Sequence, residues 1–261
     1  MAGFLEAHPV FTIEDLRLVF SMAGGRGASD VLQHNKSMGR VAMIKEGLYY
    51  AVRPGHSIQN ASVDPILVAS KLVPDAVISF HTALDALGFA HSEFSTHYCS
   101  SNHYRPEMRF RHDHFRVVLT PERLRRKSQE LFCTEKIERL GMKITVTGNE
   151  RTLVECLERP KYCGGFEEMY RSLEKIPFLR PDVLLEYLEL REQKNLYARV
   201  GFFLSQHRDE FQVEQTFLRR LAANVPSQPV YWSPARTAGV LVKPWNLIVP
   251  ESVRDRLWED R

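Results

Sequence analysis

Ser29, Gln33, His34, Asn35 and Lys36 fall within one short helical segment, 28–36, which buries little more than Val31 and Leu32. A hydroxyl, two carboxamides, an imidazole and an ammonium are groups that hydrogen-bond base edges and phosphate oxygens. A helix with so many of them has a face to offer a polyanion. Arg26 precedes it, and Arg40, Lys45, Tyr49 and Arg53 follow in a stretch of alternating residues. From Arg26 to Arg53 five cations stand against Asp30 and Glu46, leaving +3. The expected roles divide by position. Arg26, Ser29, Gln33, His34 and Lys36 face a major groove or its phosphates. Arg40, Lys45, Tyr49 and Arg53 hold the following hairpin against the nucleic-acid backbone.

The elements that must position these side chains can be read from the flanking residues. Thr12 opens a helix with Asp15 three residues on, close to a capping box. Ile13, Leu16, Val19 and Phe20 recur at helical spacing, and the run Ala23-Gly24-Gly25-Arg26-Gly27 breaks that helix. The run follows a helix rather than a strand, so it does not read as a phosphate loop. Gly39 stops the second helix. Arg40–Lys45 and Leu48–Arg53 then alternate around Glu46-Gly47, the signal of a tight hairpin. The whole reads as a winged helix-turn-helix over 1–55, a DNA-docking arrangement. Only Ala2–His8 remains for a first helix. Such units also serve as protein-interaction modules, and that alternative stays open beside DNA binding.

Beyond it, 56–63 is turn-rich and reads as a linker, and 64–261 reads as a second domain. Asp64-Pro65 opens a helix, Ala76–Ser79 a strand, and His81–Leu87 a helix ended by Gly88. Strands are expected at Thr96–Ser101, Glu107–Arg111, Phe115–Thr120 and Lys143–Thr147. Thr147 with Glu150 resembles a capping box, before a helix that ends at Pro160. Further helices follow at Gly165–Lys175, Pro181–Gln193, Asn195–His207 and Val213–Ala223, then a tail of short strands. Strands followed by helices imply an α+β fold, a helical bundle with a small mixed sheet.

A second basic zone lies mid-chain. Arg105, Arg109, Arg111, Arg116, Arg123, Arg125, Arg126 and Lys127 outweigh Glu107, Asp113 and Glu122 by five charges. It reads either as a solvated surface or as a second face for an anionic partner. The chain as a whole carries only +3. His112 and His114 could share a strand face, but no spacing matches a zinc pattern. Glu167-Glu168 reads as a solvated helix face. No GxSxG, HExxH or Walker motif is present, so an enzyme acting on nucleotides is the least favoured reading, and no cofactor is expected. Cys99, Cys133, Cys156 and Cys163 lack CxxC pairing and read as reduced thiols, mostly buried. No apolar run approaches the roughly 20 residues of a membrane span, and no signal peptide is evident, so a cytoplasmic location is expected.

Four blocks carry a family resemblance. They are GRVAMIKEGLYYAV (Gly39–Val52), ISFHTALDALG (Ile78–Gly88), VTGNERTLVECLERPKYCGGFEE (Val146–Glu168) and KPWNLIVPE (Lys243–Glu251). In these the chain resembles the AbiEi-type antitoxins, the regulator halves of abortive-infection toxin–antitoxin operons, with Glu150-Arg151-Thr152-Leu153 the strongest match. The resemblance implies a winged helix-turn-helix followed by a larger mixed α/β antitoxin domain with a helical C-terminal half. It implies operator DNA, inverted repeats in the protein's own promoter, as one partner. It implies a cognate nucleotidyltransferase-like toxin as the other, countered without need of a stable complex. The basic zone Arg105–Lys127 then becomes a candidate antitoxin surface.

Overall fold

The chain begins with α1 (Ala2–Ala7), β1 (Val10–Thr12) and α2 (Ile13–Ser21) in a computed structural model that describes residues 1–21, 27–233, 236 and 238–259. The Thr12 N–H donates to Asp15 Oδ2 at 2.8 Å and the Asp15 N–H donates to Thr12 Oγ1 at 3.1 Å. This is the reciprocal cap expected from the spacing, with aspartate in the place of glutamate. Asp15 also takes an ion pair from Lys71 at 2.9 Å. Burial pushes its carboxyl upward, but the bonds from Thr12 and Lys71 outweigh this and hold its pKa below the ordinary value. Then come α3 (Ala28–Ser37), β2 (Val41–Lys45) and β3 (Leu48–Ala51). The three strands pair in the order β1-β3-β2, both pairs antiparallel. The brevity of α1 is offset by one residue. Phe4 stacks on His8 at 4.3 Å, meets Phe11 edge-on at 5.2 Å, and joins a core of Phe11, Leu16, Leu32, Val41 and Tyr49. Burying such a ring contributes about 1.5–3 kcal/mol.

Asp64 caps α4 (Pro65–Ser70), its side chain accepting from the Leu67 N–H. The strands β4 (Val77–Ile78), β5 (Thr96–Ser101), β6 (Met108–Phe110), β7 (Asp113–Leu119), β8 (Thr134–Arg139) and β9 (Met142–Thr147) form a sheet in the order β6-β7-β5-β4-β9-β8. Ile78 pairs in parallel with Val146, and antiparallel with Cys99. The strand β8 has no counterpart among the sequence expectations. Its residues, Thr-Glu-Lys-Ile-Glu-Arg, suit the edge position it occupies, where charge discourages further pairing.

The chain divides into two compact units that are not contiguous in sequence. The first comprises Met1–Ile78, Ser95–Val118 and Lys136–Val146, and the second comprises Ser79–Phe94, Leu119–Glu135 and Thr147–Arg261. Residues 56–63, expected as a linker, fall inside the first. Arg111 reaches back to that segment, donating to the carbonyls of Ala61 (2.5 Å) and Ile58 (3.0 Å).

The second unit contains α5 (His81–Ala86), α6 (Glu122–Arg126), α7 (Asn149–Glu158), α8 (Phe166–Leu173), α9 (Pro181–Arg191), α10 (Lys194–Gln206) and α11 (Gln215–Ala222). The tail adds β10 (Val230–Tyr231), β11 (Val240–Val242), β12 (Leu247–Val249) and α12 (Glu251–Arg254), the strands in the order β10-β12-β11. Helix α7 packs against α9 and α10. Gly201 in α10 is required there, because a Cβ would overlap the Trp245 ring. The expected Thr147–Glu150 capping box does not form. Gly148 is the N-cap of α7, Thr147 Oγ1 lies 2.6 Å from Thr152 Oγ1, and Glu150 binds Arg180 instead. Glu168, expected on a solvated face, is mostly buried and accepts from Ser92, Ser172 and His81.

Charge is also buried along α7. Arg151 is fully covered, donates to Glu155 at 2.9 Å, and reaches the carbonyls of Glu130 and Phe132. The Tyr187 hydroxyl donates to the same Glu155 oxygen at 2.9 Å, and Arg191 grips both oxygens of Glu158 at 2.7 and 2.8 Å. Burial works against the Arg151 charge, but Glu155 beside it more than compensates and its pKa rises. Within the Glu150-Arg151-Thr152-Leu153 stretch, Arg151 ties α7 to the carbonyls of Glu130 and Phe132, and Glu150 ties it to Arg180.

Candidate nucleic-acid interface

Helix α3 sorts its side chains by phase. Leu32 turns into the core. Ser29, Gln33 and His34 are exposed and Lys36 is half-buried. Positions 29, 33 and 36 recur at helical spacing and form one outward stripe. The side chains of Ser29, Gln33 and Lys36 make no hydrogen bond or ion pair among the described residues. Asn35 departs from its expected outward role. It is only 3% exposed, and its amide donates to the Val31 carbonyl at 2.8 Å, because its phase places it beside Leu32. Arg26 lies outside the described residues, together with the glycine run before it.

The two ends of the hairpin differ. At the open end, the Arg40 N–H donates to the Asn35 carbonyl at 3.0 Å and the Val52 N–H donates to the Arg40 carbonyl at 2.8 Å. Arg40 therefore follows directly on the last turn of α3, and Arg53 lies at the same end; both are exposed. At the turn end, Gly47 has φ +80° and accepts from the Ile13 N–H at 3.0 Å. Lys45 is half-buried there, its Nζ 3.4 Å from the Leu72 carbonyl. Burial first, and the charge of Arg105 second, push the Lys45 ammonium's pKa down. Lys45 is thus committed within its own unit, at the opposite end from Arg40. Tyr49 likewise differs from expectation. Its ring is core, 8% exposed and 5.9 Å from Phe11, because β3 is the central strand of its sheet and is covered on both faces.

The eight mid-chain cations are all exposed but belong to two units, Arg105–Arg116 to the first and Arg123–Lys127 to the second. In the first, Arg116 and Arg109 approach Glu107 at 2.8 and 3.9 Å, and Arg111 holds the 58–61 carbonyls. In the second, Arg123 and Lys127 clamp Glu192 at 3.0 and 2.6 Å, Arg126 pairs with Glu122, and Arg125 binds the Thr120 carbonyl. Arg105 has no such partner among the described residues. Exposed pairs of this kind are weak and exchange readily with an incoming anion.

His97 and His114 bind Asp113 (3.1 Å) and Glu107 (3.0 Å). No group of three or more His, Cys, Asp or Glu among the described residues could hold a metal ion. The four cysteines are free thiols, three of them buried. No helix among the described residues is long and apolar enough to cross a membrane. Sequence reasoning missed a cavity lined by Arg159, Lys161, Tyr162, Phe166, Arg199 and Trp232. One signal was available: Arg199 is a lone charge inside the apolar run 196–204.

No family model matches the chain, and no curated protein does. A solved structure has a similar fold, the crystal structure of the RV2827C protein from Mycobacterium tuberculosis. It is 18% identical, with a TM-score of 0.63, covering 100% of this chain and 93% of that one.

Proposed function

We propose that the chain is a DNA-binding transcriptional autorepressor and the antitoxin of a toxin–antitoxin operon, acting by binding rather than catalysis in the cytoplasm. In this reading α1 to β3 form a winged helix-turn-helix with a wing shortened to the Glu46-Gly47 turn. The observation that carries it is the partition of α3, with an apolar side in the core and an outward stripe of polar groups that have no partner among the described residues. Arg40 and Arg53 adjoin the end of that stripe. Ser29, Gln33 and His34 then meet base edges, while Lys36, Arg40 and Arg53 hold phosphates. The role against a nucleotidyltransferase-like toxin is supported by the four resembling sequence blocks, with the exposed mid-chain cations as its candidate surface.

A gel-shift salt titration on the DNA upstream of the gene tests the DNA half. Arg40→Ala and Arg53→Ala should each lower the salt slope by about one unit and weaken all sequences alike. Lys45→Ala should leave the slope unchanged, since its ammonium already faces the Leu72 carbonyl. Gln33→Ala should relax sequence preference, at roughly 1–3 kcal/mol for the affected base pair. Absence of a footprint at moderate salt would sink this reading and favour the same module docking a protein.

A further inference from the structure

The end of α7, the turn at Pro160–Cys163, the starts of α8 and α10, and Trp232 line a half-open cavity of about 560 Å3. That volume lies within the roughly 300–1,000 Å3 usual for small-molecule sites. Its lining is cationic. Arg159, Lys161 and Arg199 contribute charge, while the carboxylate of Glu158 is already held by Arg191. Arg159 and Lys161 both sit over the Tyr162 ring, at 5.6 and 5.2 Å from its centroid, which keeps both charges close to that side chain.

Arg199 is the telling residue. It is 7% exposed, yet among the described residues it binds only backbone carbonyls, those of Glu158 (2.8 Å), Trp232 (3.0 Å) and, more distantly, Leu157 (3.5 Å), and its Nε–H has no acceptor there. The buried Arg151 and Arg191 each have a carboxylate at hydrogen-bond distance. Arg199 has no carboxylate within ion-pair distance among the described residues. Burial works against this charge and pulls the Arg199 pKa down, and the Glu158 carboxylate, which acts on it from beyond ion-pair distance, does not offset this. An anion in the cavity would supply the missing charge, and phosphate suits a guanidinium fork. Tyr162 and Phe166 add flat apolar surface, which accommodates a planar base.

We propose that this cavity binds a mononucleotide, its phosphate directed to Arg199, Arg159 and Lys161 and its base set against Tyr162 and Phe166. The site is independent of the operator reading. Calorimetric titration of the full chain with AMP, GMP, CMP and UMP, and with adenosine and inorganic phosphate, tests it. At least one nucleotide should bind saturably, and the free nucleoside and inorganic phosphate should each bind at least about tenfold more weakly. Lys161→Glu and Arg159→Ala should weaken the nucleotide by about tenfold or more, with unliganded melting temperature and operator gel shift unchanged. No saturable heat with any of the four nucleotides would overturn the proposal. So would equal binding of adenosine or phosphate, or affinity indifferent to both variants. Loss of operator binding in wild-type protein bears only on the other reading.

Discussion

Helices α3 and α7 are both ten residues long and both rich in polar side chains, but they use them in opposite ways. In α3 only Leu32 and Asn35 are buried, and the side chains of the stripe at 29, 33 and 36 have no hydrogen-bond or ion-pair partner among the described residues. In α7 everything from Glu150 to Leu157 is buried, and each charge meets an opposite charge from another element or from its own next turn. Glu150 meets Arg180, Arg151 meets Glu155, and Glu155 also accepts from Tyr187. Polarity alone therefore marks neither a core nor an interface. What separates the two helices is whether complementary groups are placed nearby.

The sharpest way to break this contrast is to remove half of an α7 pair. Glu155→Ala leaves the Arg151 guanidinium buried beside carbonyls alone, and should cost about 3–5 kcal/mol in urea unfolding. A loss under about 1 kcal/mol would mean that the pairing does not hold the helix.

Histidines allow a second, slightly smaller test. His34 is exposed, whereas the His207 side chain is 1% exposed among Glu174, Glu210 and Arg256. Arg256 donates to His207 Nδ1 at 3.3 Å, which fits a neutral ring. Burial, then the Arg256 charge, push its pKa down from 6.5 to about 4. A depressed pKa means the unfolded chain takes up the proton first. The contribution of His207 is therefore intact above pH 6.5 and declines as pH falls toward 4, by up to about 3 kcal/mol. Denaturation at pH 7 and pH 5 should show the decline in wild type, and His207→Gln should flatten it; an unflattened profile assigns the decline to other groups.

The smallest expected effect completes the set. Ser29→Ala and Gln33→Ala should leave stability within about 0.5 kcal/mol, since neither side chain supports the fold. A larger loss would place them in structural roles and remove the contrast with α7.

Local signals made much of the fold legible. Thr96–Ser101 is a strand with the expected bounds, and the Thr12–Asp15 cap forms as its spacing implies. Asn35 and Tyr49 are buried against the expectation that their residue types raise, because position in the element outweighs residue type. Asn35 shares its phase with Leu32, Tyr49 lies on a central strand, and an amide or a hydroxyl can be carried inward if its ring or stem packs. The strand β8 was missed because its charges suit an edge, not because they forbid a strand. The division into units was hidden for another reason. It depends on pairing between residues as distant as Ile78 and Val146, which no local pattern encodes. The cavity was illegible as a site because its walls come from several separate stretches of chain, though the isolated Arg199 was visible.

The discontinuity of the first unit also has a consequence in time. Val146 is the partner of Ile78 and the last residue of that unit. Translation at about 5–20 residues per second delivers it on the order of 3–14 s after its partner strand. During that interval β4 has an open edge on the nascent chain, and contacts of such sequence separation form slowly even once both strands exist. The residues of this unit that are synthesised first are therefore completed only when a strand from past the chain's midpoint arrives.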